Sequence, residues 1–213
     1  MDSYIAYINT DYYYVGNEKQ YDEGNGVFIG DKLITAAHVI VNTEGFRVKG
    51  KDYQKSSAIC NRLTYTNCKN RIRVLSNNRL GWNYDDFSLF EGNGSSSPLT
   101  LSPYLPLVNE ELKAYSIKYE IVQHSSNNNN SIFGKTTEQR FIPFESTAKV
   151  LYIRGNFIFC EMNGMLEKGR SGCPLIKNNK VFGILRGGDG EKICWFQSSV
   201  SIINRLKQLG IPI

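Results

Sequence analysis

Period-two alternation dominates this chain. Gly26-Val27-Phe28-Ile29-Gly30 and Leu33-Ile34-Thr35-Ala36-Ala37 are apolar runs separated by Asp31-Lys32, which predicts a tight β-hairpin. Further strands are expected at Arg71 to Ser76, at Asp86 to Phe90 and from Ala114 to Gln123. Alternation resumes over Lys149 to Met162, where Val150, Tyr152, Phe157, Phe159 and Cys160 supply apolar or aromatic positions. Pro174-Leu175-Ile176 and Val181-Phe182-Gly183-Ile184-Leu185 flank a turn over Lys177 to Lys180, and Ile193 to Phe196 adds another strand. At the end the period changes: Ile202, Ile203, Leu206 and Leu209 recur at helical spacing, with serines before them and Gly210-Ile211-Pro212 after. Many short strands and one closing helix predict an all-β molecule.

The breaks between strands suggest an organisation. Glu91 to Pro106 is rich in Gly, Ser and Pro and reads as a connection between two sets of strands. The expected division is residues 1–95, a linker over 96–113, and residues 114–213 with the helix at their end. Asn127 to Asn130 reads as an exposed polar loop, and His124, beside Ser125-Ser126-Asn127, as a loop residue without a partner. At 213 residues the chain holds one substantial domain or two small packed barrels.

Composition narrows the classes. No run approaches the ~18 apolar residues of a membrane span. Met1-Asp2-Ser3-Tyr4-Ile5 lacks the basic start and apolar stretch of a signal peptide. Five cysteines, an odd number, do not read as a disulfide framework. Cys60 and Cys68 could pair across a hairpin, but reduced thiols are the simpler reading, and they place the protein in cytosol. The net charge of +5 is concentrated between Arg62 and Arg79, with Lys69, Arg71 and Arg73. A solvated strand face explains that segment; RNA binding is the rival reading and requires these cations to cluster on one face.

The candidate chemistry lies in two distant strings. His38 ends the strand Leu33 to Ala37, and Ser171 sits in a glycine-flanked turn, Gly169-Arg170-Ser171-Gly172-Cys173-Pro174-Leu175. A serine hydroxyl is a poor nucleophile at neutral pH unless an adjacent base takes its proton, so the two gain meaning together. His38 is the candidate base and Ser171 the candidate nucleophile. Cys173 reads as a small packing residue. Asp86, in Asp86-Phe87-Ser88-Leu89-Phe90, is the candidate acid; Asp85 is its rival, facing the other side of the strand.

These strings resemble the signatures of the chymotrypsin-like (trypsin-fold) serine peptidase family. Thr35-Ala36-Ala37-His38 is similar to T-A-A-H, the serine turn to G-x-S-G-x-P-[LIV], and Asp86 to Phe90 to D-[IV]-A-L-[LV]. The last match favours Asp86, because F-S-L-F then falls in register. The order His38, Asp86, Ser171 is that of the family. The resemblance implies two six-stranded antiparallel β-barrels with a short C-terminal helix, the first carrying His38 and Asp86 and the second Ser171. It implies an oxyanion hole from the N–H groups of Gly169 and Ser171, a peptide or polyprotein substrate, and neither metal nor cofactor.

Two departures bear on the details. Arg170 stands where zymogen-activated relatives carry an aspartate that pairs with a freed N-terminus, so activation by that salt bridge is not expected. Gly183-Ile184-Leu185-Arg186-Gly187-Gly188-Asp189-Gly190 resembles the G-M-H-V-G-G-N-G segment of picornavirus main proteinases, whose histidine recognises glutamine or glutamate before the scissile bond. Leu185 takes that place here. Met165 and Leu166 fall where the family lines the pocket floor, and Gly187 and Gly188 continue the wall, so a nonpolar or aromatic side chain is expected. Lys168 and Arg186 keep an acidic side chain as the alternative. The sequence thus reads as a serine endopeptidase of the viral polyprotein-processing kind, similar to picornavirus and nidovirus main proteinases. The alternatives are a cytosolic bacterial trypsin-like peptidase and a catalytically idle RNA- or protein-binding module on the same fold. No pattern in the chain specifies an oligomer.

Overall fold

In the computed structural model these alternating runs become antiparallel sheets; it describes residues 4–10, 13–15, 18–20, 23–39, 46–49, 72–75, 85–91, 97–125, 135–163 and 168–213. The strands are β1 (Ile5–Thr10), β2 (Tyr13–Val15), β3 (Glu18–Gln20), β4 (Glu23–Ile29), β5 (Lys32–Ala36), β6 (Phe46–Lys49), β7 (Ile72–Leu75) and β8 (Asp86–Glu91). Then come β9 (Thr100–Leu101), β10 (Glu111–Ser125), β11 (Lys135–Arg154), β12 (Phe157–Asn163), β13 (Pro174–Lys177), β14 (Lys180–Gly188) and β15 (Ile193–Ser198). Helix α1 (Ser199–Gln208) closes the chain.

The first sheet has six strands in the order β6-β1-β4-β5-β8-β7, with β2 and β3 as a separate small hairpin. The expected hairpin is β4–β5, in which Val27 faces Ile34 and Phe28 faces Leu33. Its turn falls one residue earlier than the sequence suggested, at Gly30-Asp31, because Gly30 adopts φ +57. In the second sheet β13, β10, β11, β12, β15 and β14 follow one another, and the pairing of β13 with β14 closes them into a six-stranded barrel. Asn178 and Asn179 turn this hairpin in the left-handed region, at φ 51 and 58.

Four expectations change. The segment 97–106 is more than a linker: Leu99 and Leu101 are buried, and β9 adds to β14 as a parallel strand. The alternation over Lys149 to Met162 belongs to two strands, β11 and β12, divided by a turn at Gly155-Asn156. His124 lies in β10 opposite Thr136, not in a loop. The N-terminal strand β1 was not anticipated and joins β4 to β6. Cys60, Cys68, Asn127 to Asn130 and all of the Arg62 to Arg79 segment except β7 lie outside the described residues.

One apolar cluster runs through both halves, from Ile5, Val27 and Phe87 of the first sheet to Ile117, Ile176 and Val181 of the second. Helix α1 inserts Ile202 and Leu206 into it. The Ser198 hydroxyl caps that helix by accepting from the Ser201 N–H at 3.2 Å. Among the described residues no helix is long and apolar enough to cross a membrane.

Candidate active site

Strand β5 ends in a single 3₁₀ turn, Ala37–Val39, which buries Ala37 and Val39 and leaves His38 partly exposed between them. Pairing of β5 with β8, with Ala36 opposite Phe87, brings Asp86 beside that turn. Asp86 Oδ2 lies 2.7 Å from His38 Nδ1, and the His38 backbone N–H donates to Asp86 Oδ1 at 2.9 Å. Both carboxylate oxygens therefore hold one residue. An ionised carboxylate only accepts, so the proton sits on Nδ1 and Nε2 is left as the acceptor.

Asp85 looks the other way, as strand geometry requires. Its Oδ1 accepts from Gln197 Nε2 at 3.0 Å and Asn156 Nδ2 at 3.3 Å, and Arg205 of α1 approaches its Oδ2 at 3.8 Å. Burial raises the Asp85 carboxyl above its ordinary pKa, against the opposing pull of Arg205 and Gln197. Gln197 is fully buried and also accepts the Asp86 N–H at 2.6 Å. Sequence reasoning missed it; the only signal was an amide directly following the apolar run Ile193 to Phe196.

The serine turn depends on two left-handed glycines, Gly169 at φ +91 and Gly172 at φ +85. A Cβ on Gly172 would overlap the Asn25 carbonyl and approach Thr35 Oγ1. Three of the turn's carbonyls are engaged: Gly169 O by Asn25 Nδ2 at 2.8 Å, Ser171 O by Asn25 N at 2.7 Å, and Arg170 O by Cys173 N at 3.0 Å. Among the described residues the N–H groups of Gly169 and Ser171 have no acceptor. Asn25 was also missed, although it stands as an amide between Gly24 and Gly26 in an apolar strand. Gly24 admits the turn closely, since a Cβ there would press on Val39 and on Ser171 O.

His38 and Ser171 line the same cleft, of ≈ 250 Å³. Of the residues assigned to substrate, Lys168, Leu185, Gly187 and Gly188 line it too, as does Gly169 of the expected oxyanion hole, and Glu23 and Val39 join them without having been anticipated. Met165 and Leu166 lie outside the described residues. Arg186 is not in the lining: it ion-pairs through Nε with Asp86 Oδ2. Gly187 packs on the Trp195 ring, which a Cβ would meet at 3.1 Å. Arg170, in the position read as replacing an activation aspartate, is buried with its guanidinium 4.0 Å over the Phe144 ring. The Cys173 and Cys160 thiols are pushed up to about 12 by burial, and Cys194 is raised further. None of these three is a thiolate at neutral pH.

No family model and no curated protein matches the sequence. Solved structures do. A mutant of the tobacco etch virus protease superposes with TM-score 0.57 at 13% identity, over 98% of this chain and 80% of that one. The tobacco vein mottling virus protease gives 0.55 at 9% identity, over 93% and 77%. The scabies mite inactivated protease paralogue S-D1 gives 0.63 at 12% identity, over 97% and 91%. By its strand order, its closed second barrel and these superpositions, the chain has the fold of the chymotrypsin-like proteases.

Proposed function

We propose that the chain is a serine endopeptidase acting through His38, Asp86 and Ser171, with residues 1–95 supplying the base and acid and 114–213 the nucleophile. The observation that carries this is the double hold of Asp86 on His38, at 2.7 and 2.9 Å, beside a cleft that Ser171 also lines. Ser171 Oγ attacks the scissile carbonyl while His38 Nε2 takes its proton. The same imidazole then protonates the leaving amine, and water repeats the sequence on the acyl-enzyme. The N–H groups of Gly169 and Ser171, without an acceptor among the described residues, supply the oxyanion donors, of which one alone is worth ~3 kcal/mol of barrier. The buried thiols support serine as the attacking atom.

Leu185 as a cleft wall supports a nonpolar residue before the scissile bond, and the likeness of the Gly183 to Gly190 segment to viral main proteinases supports a polyprotein substrate in host cytosol. A fluorophosphonate probe tests the chemistry: labelling is expected in the wild type and lost in Ser171→Ala. A wild type that stays unlabelled leaves the idle binding module as the better reading. A peptide-library profile tests the pocket, and strict glutamine preference would overturn the apolar wall.

A further inference from the structure

The Asp86 carboxylate is only 4% exposed yet holds more than the histidine. Its Oδ1 takes the His38 N–H, its Oδ2 takes Nδ1–H, and Oδ2 also meets Arg186 Nε. The arginine reaches it from the other barrel. Along β14, Leu185 pairs with Phe196 and Gly187 with Trp195 of β15, and the register slips between them. Arg186 is therefore the extra residue of a β-bulge, a device that re-aims a side chain beside an active site. Leu185 keeps its place in the cleft wall while Arg186 turns to the acid.

We propose that Arg186 is a positioning residue for the peptidase reaction: bulged out of β14, its guanidinium pins the Asp86 carboxylate, which in turn holds the His38 imidazole for Ser171. The proposal rests on the peptidase reading above and replaces the expectation that Arg186 meets substrate. A cation here has two opposite effects. It fixes the orientation of the buried acid, and it also opposes the imidazolium that forms during attack. The structure favours the first, because two residues converge on one oxygen of an acid that has almost no contact with water.

The test compares kcat and KM for wild type, Arg186→Gln, Arg186→Lys, Asp86→Asn and the double variant Asp86→Asn/Arg186→Gln, on one cleavable peptide. Arg186→Gln is expected to lower kcat roughly tenfold to hundredfold with KM within about twofold, as misorientation of a base does. Arg186→Lys, which keeps the charge without the guanidinium, is expected to recover part of the loss and serves if the glutamine variant does not fold. In the Asp86→Asn background Arg186→Gln should cost little more. The low-field proton resonance of His38 Nδ1–H should shift or broaden in Arg186→Gln. An unchanged or raised kcat, or losses that simply multiply in the double variant, overturns the proposal. So does a loss confined to KM with altered side-chain preference, which would return Arg186 to the substrate. Failure of the peptidase reading itself is separate: the wild type would then show no Ser171-dependent labelling.

Discussion

Successive residues on a strand face opposite ways, and at the start of β8 that rule gives two adjacent carboxylates different tasks. Asp86 meets His38; Asp85 meets Gln197, Asn156 and Arg205. Burial is the larger influence on Asp85 and lifts its pKa in the folded protein. The native state then keeps a proton that the unfolded chain has already released. Its stabilising contribution is complete below the unfolded value of about 4 and declines as pH rises through the raised native value. Asp85→Asn keeps the Oδ1 acceptor and has no charge to desolvate. The melting temperature of Asp85→Asn relative to wild type should therefore climb between about pH 3 and pH 7. Melting curves across that range check it, and a difference that is flat or falls with pH would show that the Arg205 pair outweighs burial.

At the level of elements, the glycines of the serine turn separate backbone strain from crowding. Gly172 and Gly30 both lie in the left-handed region, at φ +85 and +57, but only Gly172 is packed against backbone; around Gly30 a Cβ would meet nothing within 4 Å. Gly30→Ala should cost about 1–3 kcal/mol, from its φ. Gly172→Ala must in addition displace β4 at Asn25 and should cost clearly more, with loss of activity. Urea midpoints for the two variants measure the difference, and equal costs would mean that the loop shifts freely. These glycines were legible because the turn's requirement is written in its residue types, and so was the β4–β5 hairpin, whose buried face is continuous. The long hairpin of β10 and β11 was legible only in part. Ile142, Pro143, Phe144 and Glu145 are all exposed, so no core imposes alternation there, and Pro143 in a strand argues against one from sequence alone. The ion pair of Arg186 with Asp86 was not legible for a related reason: a bulge shifts side-chain direction by one residue, and no periodicity announces it.

Across the whole molecule, the proposed site depends on how two barrels are joined, and pairwise polar contacts between distant segments leave little trace in a single sequence. Asn25 of β4 donates to Gly169 O and Ile117 O and accepts from the Ile117 N–H at 2.6 Å, so one fully buried amide ties the first sheet to β10 and to the serine turn. Beside it Tyr7 of β1 packs on Tyr119 and Phe141 at centroid distances of 5.8 and 5.6 Å, an apolar seam that holds the barrels together without fixing the turn. The two kinds of contact predict different failures. Asn25→Ala leaves buried backbone groups of Ile117 without their partner, at about 1–3 kcal/mol for each unsatisfied group, and frees the carbonyl that anchors Gly169. Tyr7→Ala removes packing at a comparable cost of about 3–5 kcal/mol but spares the turn. At temperatures where both variants remain folded, Asn25→Ala should therefore lose far more kcat than Tyr7→Ala for a similar drop in urea midpoint. Equal activity losses at matched stability would mean that the serine turn holds its own shape, and that Asn25 serves stability alone.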